Sequence, residues 1–305
     1  MELRVENTSS PHDHQINSYG LRGMLKKIGI VSALCLFVAG CSTLKIAYGF
    51  LDTAVLNWAG KYLDIGEDNE RTLDAEISQL VTWHRTQMLP KYAGFFESQA
   101  QLAEGAGWTR ADVDEAVGTF REIIKETSQG AAPYSARVLA GHTSEPKANY
   151  IQEAMGRVVS ERRERFKEPL ADQIDRAVDK SIANYERFFG TLTDDQIAIV
   201  RKHKTKTYDP KGEWLNLREK RQQDFIRFLR TEPSTFYIEN YVKVALTKPE
   251  KIVGEAYREG ADRWWAKQAV LLYDLVTTLD NSQRQTLANN LRGYAVDMVE
   301  LAKTS

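Results

Sequence analysis

Cysteine is nearly missing from this chain: Cys35 and Cys41 are the only two in 305 residues. Cys35 falls in a segment read below as a cleaved signal, which leaves one thiol and excludes both a disulfide framework and a cysteine metal site. Histidine is as scarce. Beyond residue 41 only His84, His142 and His203 occur, no two of them close in sequence, and neither His-Glu-x-x-His nor a Glu-x-x-His pair is present. An excess of one charge is also lacking. The formal net charge is −1, which argues against nucleic acid, or strong electrostatic attraction to a membrane, as the general partner. No Pro/Gly/Ser-rich linker divides the chain, and no convincing run alternates apolar and polar residues as a half-buried strand does. Gly-x-Ser-x-Gly and the phosphate loop are absent too. The expectation is a chain without catalytic residues, cofactor or metal.

No apolar run reaches the length of about 20 residues that spans a bilayer. The stretch Ile28–Ala39 follows Lys26 and Lys27 and runs into Val38-Ala39-Gly40-Cys41. A short apolar core behind positive residues, closed by small ones, suits a secretory signal, and the thiol at its end makes it a lipobox. Cleavage before Cys41 and acylation of its thiol and new amine are expected, since several acyl chains anchor durably where one binds only marginally. The domain plan that follows has residues 1–23 as a start-site misassignment or disordered extension, 24–40 as signal peptide, and 41–305 as a single all-helical periplasmic domain. Met24 is the better initiator. Ser42 stands where an inner-membrane retention signal has aspartate, which points to the periplasmic face of the outer membrane. Only Ser42 and Thr43 separate Cys41 from Leu44, so the body should lie close to the membrane.

Past Cys41, apolar residues recur at spacings of three and four, which predicts an all-α, multi-helix bundle of about ten helices with no sheet. The expected helices are 43–63, 67–103, 109–128, 133–141, 145–189, 193–205, 212–230, 233–246, 248–278 and 281–303, with Pro90 and Pro169 kinking the two long ones. Ser144, Thr231 and Thr247 each precede a proline by two residues and read as hydroxyl caps. In the first helix Leu44, Tyr48, Leu51, Val55, Trp58 and Tyr62 form one stripe, while Ile46, Phe50 and Leu56 fill the opposite face. A helix apolar nearly all round is expected to be buried in the bundle, with lipid contact as the alternative.

Several motifs carry a chemical reading beside a bland one. Glu97-Ser98 with Gly105-Ala-Gly-Trp108 resembles elements of lytic transglycosylases, in which a glutamic acid of raised pKa protonates a glycosidic oxygen. The spacing is too short, however, and the residues read better as a helix end and turn. Ser42-Thr-Leu-Lys45 and Ser144-Glu-Pro-Lys147 match Ser-x-x-Lys without its companion motifs, and Asp64–Asp68 lacks the twelfth-position glutamate of a calcium loop. Arg201, Lys202, His203, Lys204, Lys206 and Lys211 form the one local basic patch, which a helix C-terminus favours through its dipole. Trp83, Trp108, Trp214, Trp264 and Trp265 lie beside arginines, as cation–π pairs or as the rim of a groove.

The run Gly40–Tyr48, then Trp58, Tyr62, Trp83-His84-Arg85, Leu89-Pro-Lys-Tyr92, Trp214-Leu215 with Arg218 and Arg221, and Leu279–Arg284 resembles an uncharacterised family of proteobacterial lipoproteins. The resemblance covers the mature chain and implies an all-helical envelope lipoprotein, with no activity attached. Leu192-Thr-Asp-Asp-Gln196 and Leu279-Asp-Asn-Ser-Gln283 are also similar to the Leu-Thr-x-x-Gln element of periplasmic helical chaperones and stress adaptors, with Ile65–Asn69 a degenerate third copy. The same pattern is a good helix start, since the Gln closes a capping box. The expected function is a non-enzymatic interaction or assembly protein with an envelope protein partner. A chaperone is the alternative and a peptidoglycan-cleaving enzyme the distant one.

The candidate interaction surface is Trp83, His84, Arg85 and Tyr92. Pro90 removes a backbone bond two turns after Trp83 and is expected to open a polar-aromatic pocket between helices. The competing account makes Trp83 and His84 core residues on the stripe Leu73, Ile77, Leu80, His84, Met88.

Overall fold

The computed structural model describes residues 42–105, 107–209 and 212–304. The lipobox and Cys41 lie outside them. Among the described residues the elements are α1 (Ser42–Gly49), α2 (Leu51–Ala59), α3 (Glu67–Trp83), a π-helical turn (His84–Met88), α4 (Leu89–Glu104), α5 (Arg110–Ala140), α6 (Glu145–Arg165), α7 (Leu170–Phe189), α8 (Asp194–Thr207), α9 (Glu213–Leu229), α10 (Thr235–Thr247), α11 (Glu250–Val253), α12 (Glu255–Val276) and α13 (Asn281–Lys303), with no strand. The all-α bundle is as expected.

Capping boxes start α5 at Thr109, α8 at Thr193 and α13 at Asp280, each with its side chain and that of the third residue on satisfying backbone N–H groups. The hydroxyls before prolines behave otherwise. Ser144 occupies the cap position of α6 without a capping bond. Thr231 Oγ1 and Thr247 Oγ1 donate backwards to Phe228 O and Lys243 O, so they close the preceding helices rather than open the next.

Four further boundaries differ from those expected. Residues 43–63 break at Phe50 into α1 and α2. The expected gap between 128 and 133 does not exist, since α5 runs through Pro133; its small residues Ala132 and Ala136, fully buried against Ile238 and Val242 of α10, hold the helix in place where one backbone bond is missing. Pro169 kinks no helix: α6 has already ended at Arg165, and Pro169 stands at the N-cap of α7, with the residue before it kept out of the helical region. Gly254, at φ +93°, separates α11 from α12.

Two core clusters share Phe96 as a common neighbour. One gathers the end of α4 with α7, α8, α12 and the first half of α13 around Leu271 and Leu275. The other gathers α1, α2, α3, α6, α9 and the second half of α13 around Ile77, Ile151 and Leu229. The most extensive helix pairing is α13 along α4.

The first helices correct one expectation. Tyr48 is buried, and Leu44, Leu51 and Val55 pack on the second cluster, but Ile46, Phe50 and Trp58 are 60%, 65% and 62% exposed. Burial therefore takes the stripe apart from Trp58, with Leu56 half-buried, and leaves Trp58 exposed along with Ile46 and Phe50 of the opposite face. Lys45 fixes α1 to α13 through Asp297, 3.2 Å away and buried, and through Glu300.

Candidate functional site

The helical run from Glu67 to Glu104 meets Pro90 by widening. Leu89 N–H donates to His84 O, five residues back, which relieves the crowding that a proline ring imposes on the carbonyl four residues before it. Such π turns are found disproportionately at functional sites, and here the turn begins on the predicted histidine.

The structure brings Trp83, His84, Arg85 and Tyr92 together, all half-buried, and adds Tyr48 from α1. Tyr48 Oη lies 2.9 Å from His84 Nδ1, and the two rings stack with centroids 6.0 Å apart. Tyr92 lies on the other side of the imidazole at 5.9 Å. Its hydroxyl donates at 2.8 Å to Thr127 Oγ1, which in turn donates to Ile123 O. The Arg85 guanidinium sits 5.7 Å from the Tyr48 ring centroid and donates to Thr304 O at 3.2 Å. The rings form a packed seam joining α1 to the α3–α4 run, and the hydroxyls of Tyr48 and Tyr92 and Nδ1 of His84 are committed within the chain.

Trp83 seals the seam on α5. Its indole lies where a β-carbon on Gly130 would stand, 1.8 Å from Trp83 Cζ2, so only glycine allows this approach. Gly130→Ala is expected to displace the indole and cost about 1 to 3 kcal/mol, read by urea denaturation. A change below about 0.5 kcal/mol would show that the indole is free to swing away.

Burial pushes the His84 imidazole below its ordinary value of 6.5, and His203 moves the same way for the same reason. The unfolded chain therefore takes up these protons first as the pH falls. The stability contributed by neutral imidazoles is complete above about 6.5 and is lost as the pH drops from there toward the folded values. The melting temperature is expected to fall between pH 7.5 and pH 5, and His84→Gln should flatten that dependence; an unchanged slope in the variant would contradict it.

The two Leu-x-x-x-Gln segments meet as well. Gln196 and Gln283 exchange amide hydrogen bonds at 2.8 and 2.9 Å. Gln196 also donates to Thr278 O, and Gln283 to Thr191 O. Each is buried, and each closes its own capping box. Both amides are thus used in tying the start of α8 to the start of α13. Glu97 is ion-paired with Arg292 at 3.5 Å.

Residues 61–258 match DUF6279, a family of unknown function. The chain belongs to DUF6279. No curated protein and no solved structure matches it. The DUF6279 region takes in Tyr62, the seam residues Trp83, His84, Arg85 and Tyr92, and Trp214 with Arg218 and Arg221; Gly40–Tyr48, Trp58 and Leu279–Arg284 lie outside it.

The sequence reading missed one cluster. It marked the basic patch at 201–211, of which Arg201 is paired with Asp175. The structure instead gathers Arg162, Arg165, Arg176, Lys180 and Arg218 around one cavity. These come from three helices, so no window of sequence holds them. The available signal was Arg176 and Lys180 at i and i+4, a like-charge pair that a helix otherwise avoids.

Proposed function

We propose that this DUF6279 chain is an envelope lipoprotein anchored through acyl chains on Cys41 at the periplasmic face of the outer membrane, where it acts as a non-enzymatic interaction or assembly protein. The observation that carries the reading is the run of two lysines, a short apolar core and Val38-Ala-Gly-Cys41. The start of α1 at Ser42 and the exposure of Ile46, Phe50 and Trp58 support it, because a body joined to its anchor without a tether brings these first helices toward the lipid.

The test is metabolic labelling with a palmitate analogue, followed by membrane fractionation. The native chain should take up label and sediment with outer membrane, and Cys41→Ala should lose both. A Cys41→Ala protein that still takes up label would end the proposal. For the non-enzymatic half, the purified chain should leave peptidoglycan intact; release of muropeptides that Glu97→Gln abolishes would replace it with the glycan-cleaving reading.

A further inference from the structure

Helix α9 borders two cavities of similar size that differ in how their charges are matched. The first, about 620 Å³, lies between α6 and α9. Its cations have partners: Arg163 bonds Glu219, Arg227 bonds Asp224, and Arg230 donates to Asn149 and Gln152. The second, about 470 Å³, is lined by Arg162 and Arg165 of α6, Arg176 and Lys180 of α7, and Arg218 of α9. Only Arg176 has an ion pair there, with Glu168; the other four make none among the described residues. Among the described residues Asp209 is the one carboxylate on the wall, and it accepts from Trp214 N–H at the start of α9.

Complementing helix dipoles does not account for this set. Arg162 and Arg165 stand in the last turn of α6, where cations are favoured, but Arg176 and Lys180 lie within α7 and Arg218 within the first half of α9. Arg218 is half-buried; desolvation, with Arg162 and Arg221 nearby, holds its guanidinium below the ordinary range. The cavity is also built. Gln173, buried, donates to Phe166 O and Glu168 O and accepts from the Tyr208 hydroxyl. Gly212, at φ +62°, stands so close to Phe166 that a β-carbon on it would meet the ring at 3.1 Å. Trp214 is held against Tyr257, with centroids 4.7 Å apart.

We propose that this cavity is a binding site for a phosphate-bearing anion. Guanidinium forks match phosphate oxygens in pairs, and a ligand carrying negative charge would relieve the repulsion among these cations. Two sources share this chemistry, a phospholipid headgroup and a free phosphate ester.

The purified full chain is titrated with inorganic pyrophosphate by calorimetry. In parallel it is floated with phosphatidylcholine vesicles, with and without phosphatidylglycerol. The native chain should bind at least one probe, pyrophosphate if the ligand is a free ester, or only phosphatidylglycerol vesicles if it is a headgroup. Arg218→Gln, and separately Arg162→Gln with Lys180→Gln, should weaken that binding about tenfold or more, the loss of one or more charge-assisted bonds. Neither should lower the melting temperature, since each removes like-charge repulsion. Arg227→Gln with Arg230→Gln, in the neighbouring cavity, should bind as the native chain does. The proposal is overturned if the native chain binds neither probe, if the control pair loses as much as the cavity variants, or if the exposed pair Arg162 and Lys180 proves dispensable.

Discussion

Replacing Gln196 with alanine is expected to destabilise the protein by about 2 to 4 kcal/mol. The substitution removes half of a capping box and leaves the Gln283 amide and Thr278 O without their partner in a place that water does not reach. Gln283→Ala removes the same mutual pair from the other side, so the two losses overlap. In a double-mutant cycle measured by urea denaturation, the double variant should cost less than the sum of the singles by about 1 kcal/mol or more. Strict additivity would show that the two glutamines act as separate caps. The same experiment bears on the chaperone alternative: residues that hold two helix starts together should report on stability and leave suppression of client aggregation unchanged at a temperature where the variant is still folded.

The second large effect is expected at Arg137. Its Nε donates at 2.6 Å to Oε1 of Glu76, a residue only 8% exposed whose other carboxylate oxygen is buried without a partner. Breaking a buried pair from one side leaves an uncompensated charge, typically worth 3 to 5 kcal/mol. Arg137 itself is 40% exposed, so solvent screening lowers the figure for Arg137→Met to about 2 to 3 kcal/mol. Adding Glu76→Gln to that variant should recover most of the loss, because a neutral amide tolerates the site better than a lone carboxylate. A single variant as stable as the native chain would mean that water reaches Glu76.

What was legible in the sequence follows from what is local. Helical periodicity and capping boxes act within a few residues, and the all-α class and the starts at Thr193 and Asp280 could be read from them. The seam residues were recognisable for a similar reason, since Trp83, His84, Arg85 and Tyr92 share one helical run. Their third wall was not. Tyr48 reaches the seam from α1 and Gly130 from α5, and the fit of an indole onto a bare glycine leaves no trace in spacing. Prolines misled in both directions: tertiary packing carries α5 through Pro133, whereas Pro169 lies where the chain turns out of α6 into α7. The outer face of α1 and α2 was expected inside the bundle because periodicity counts apolar residues without saying how many neighbours are at hand to cover them.

The pairing of α13 with α4 also fixes an order of events. Residues from Leu287 to Met298 contribute to both core clusters, yet most of the elements they cover precede them in the chain and are synthesised before them. Until they follow, Ala93 and Ala100 on α4 and Leu275 on α12 lack a wall, and the nascent chain presents an open apolar trough. Domains that close late are exposed to aggregation in the interval. The protein's vulnerable moment therefore lies between the synthesis of α4 and that of α13, which closes both clusters.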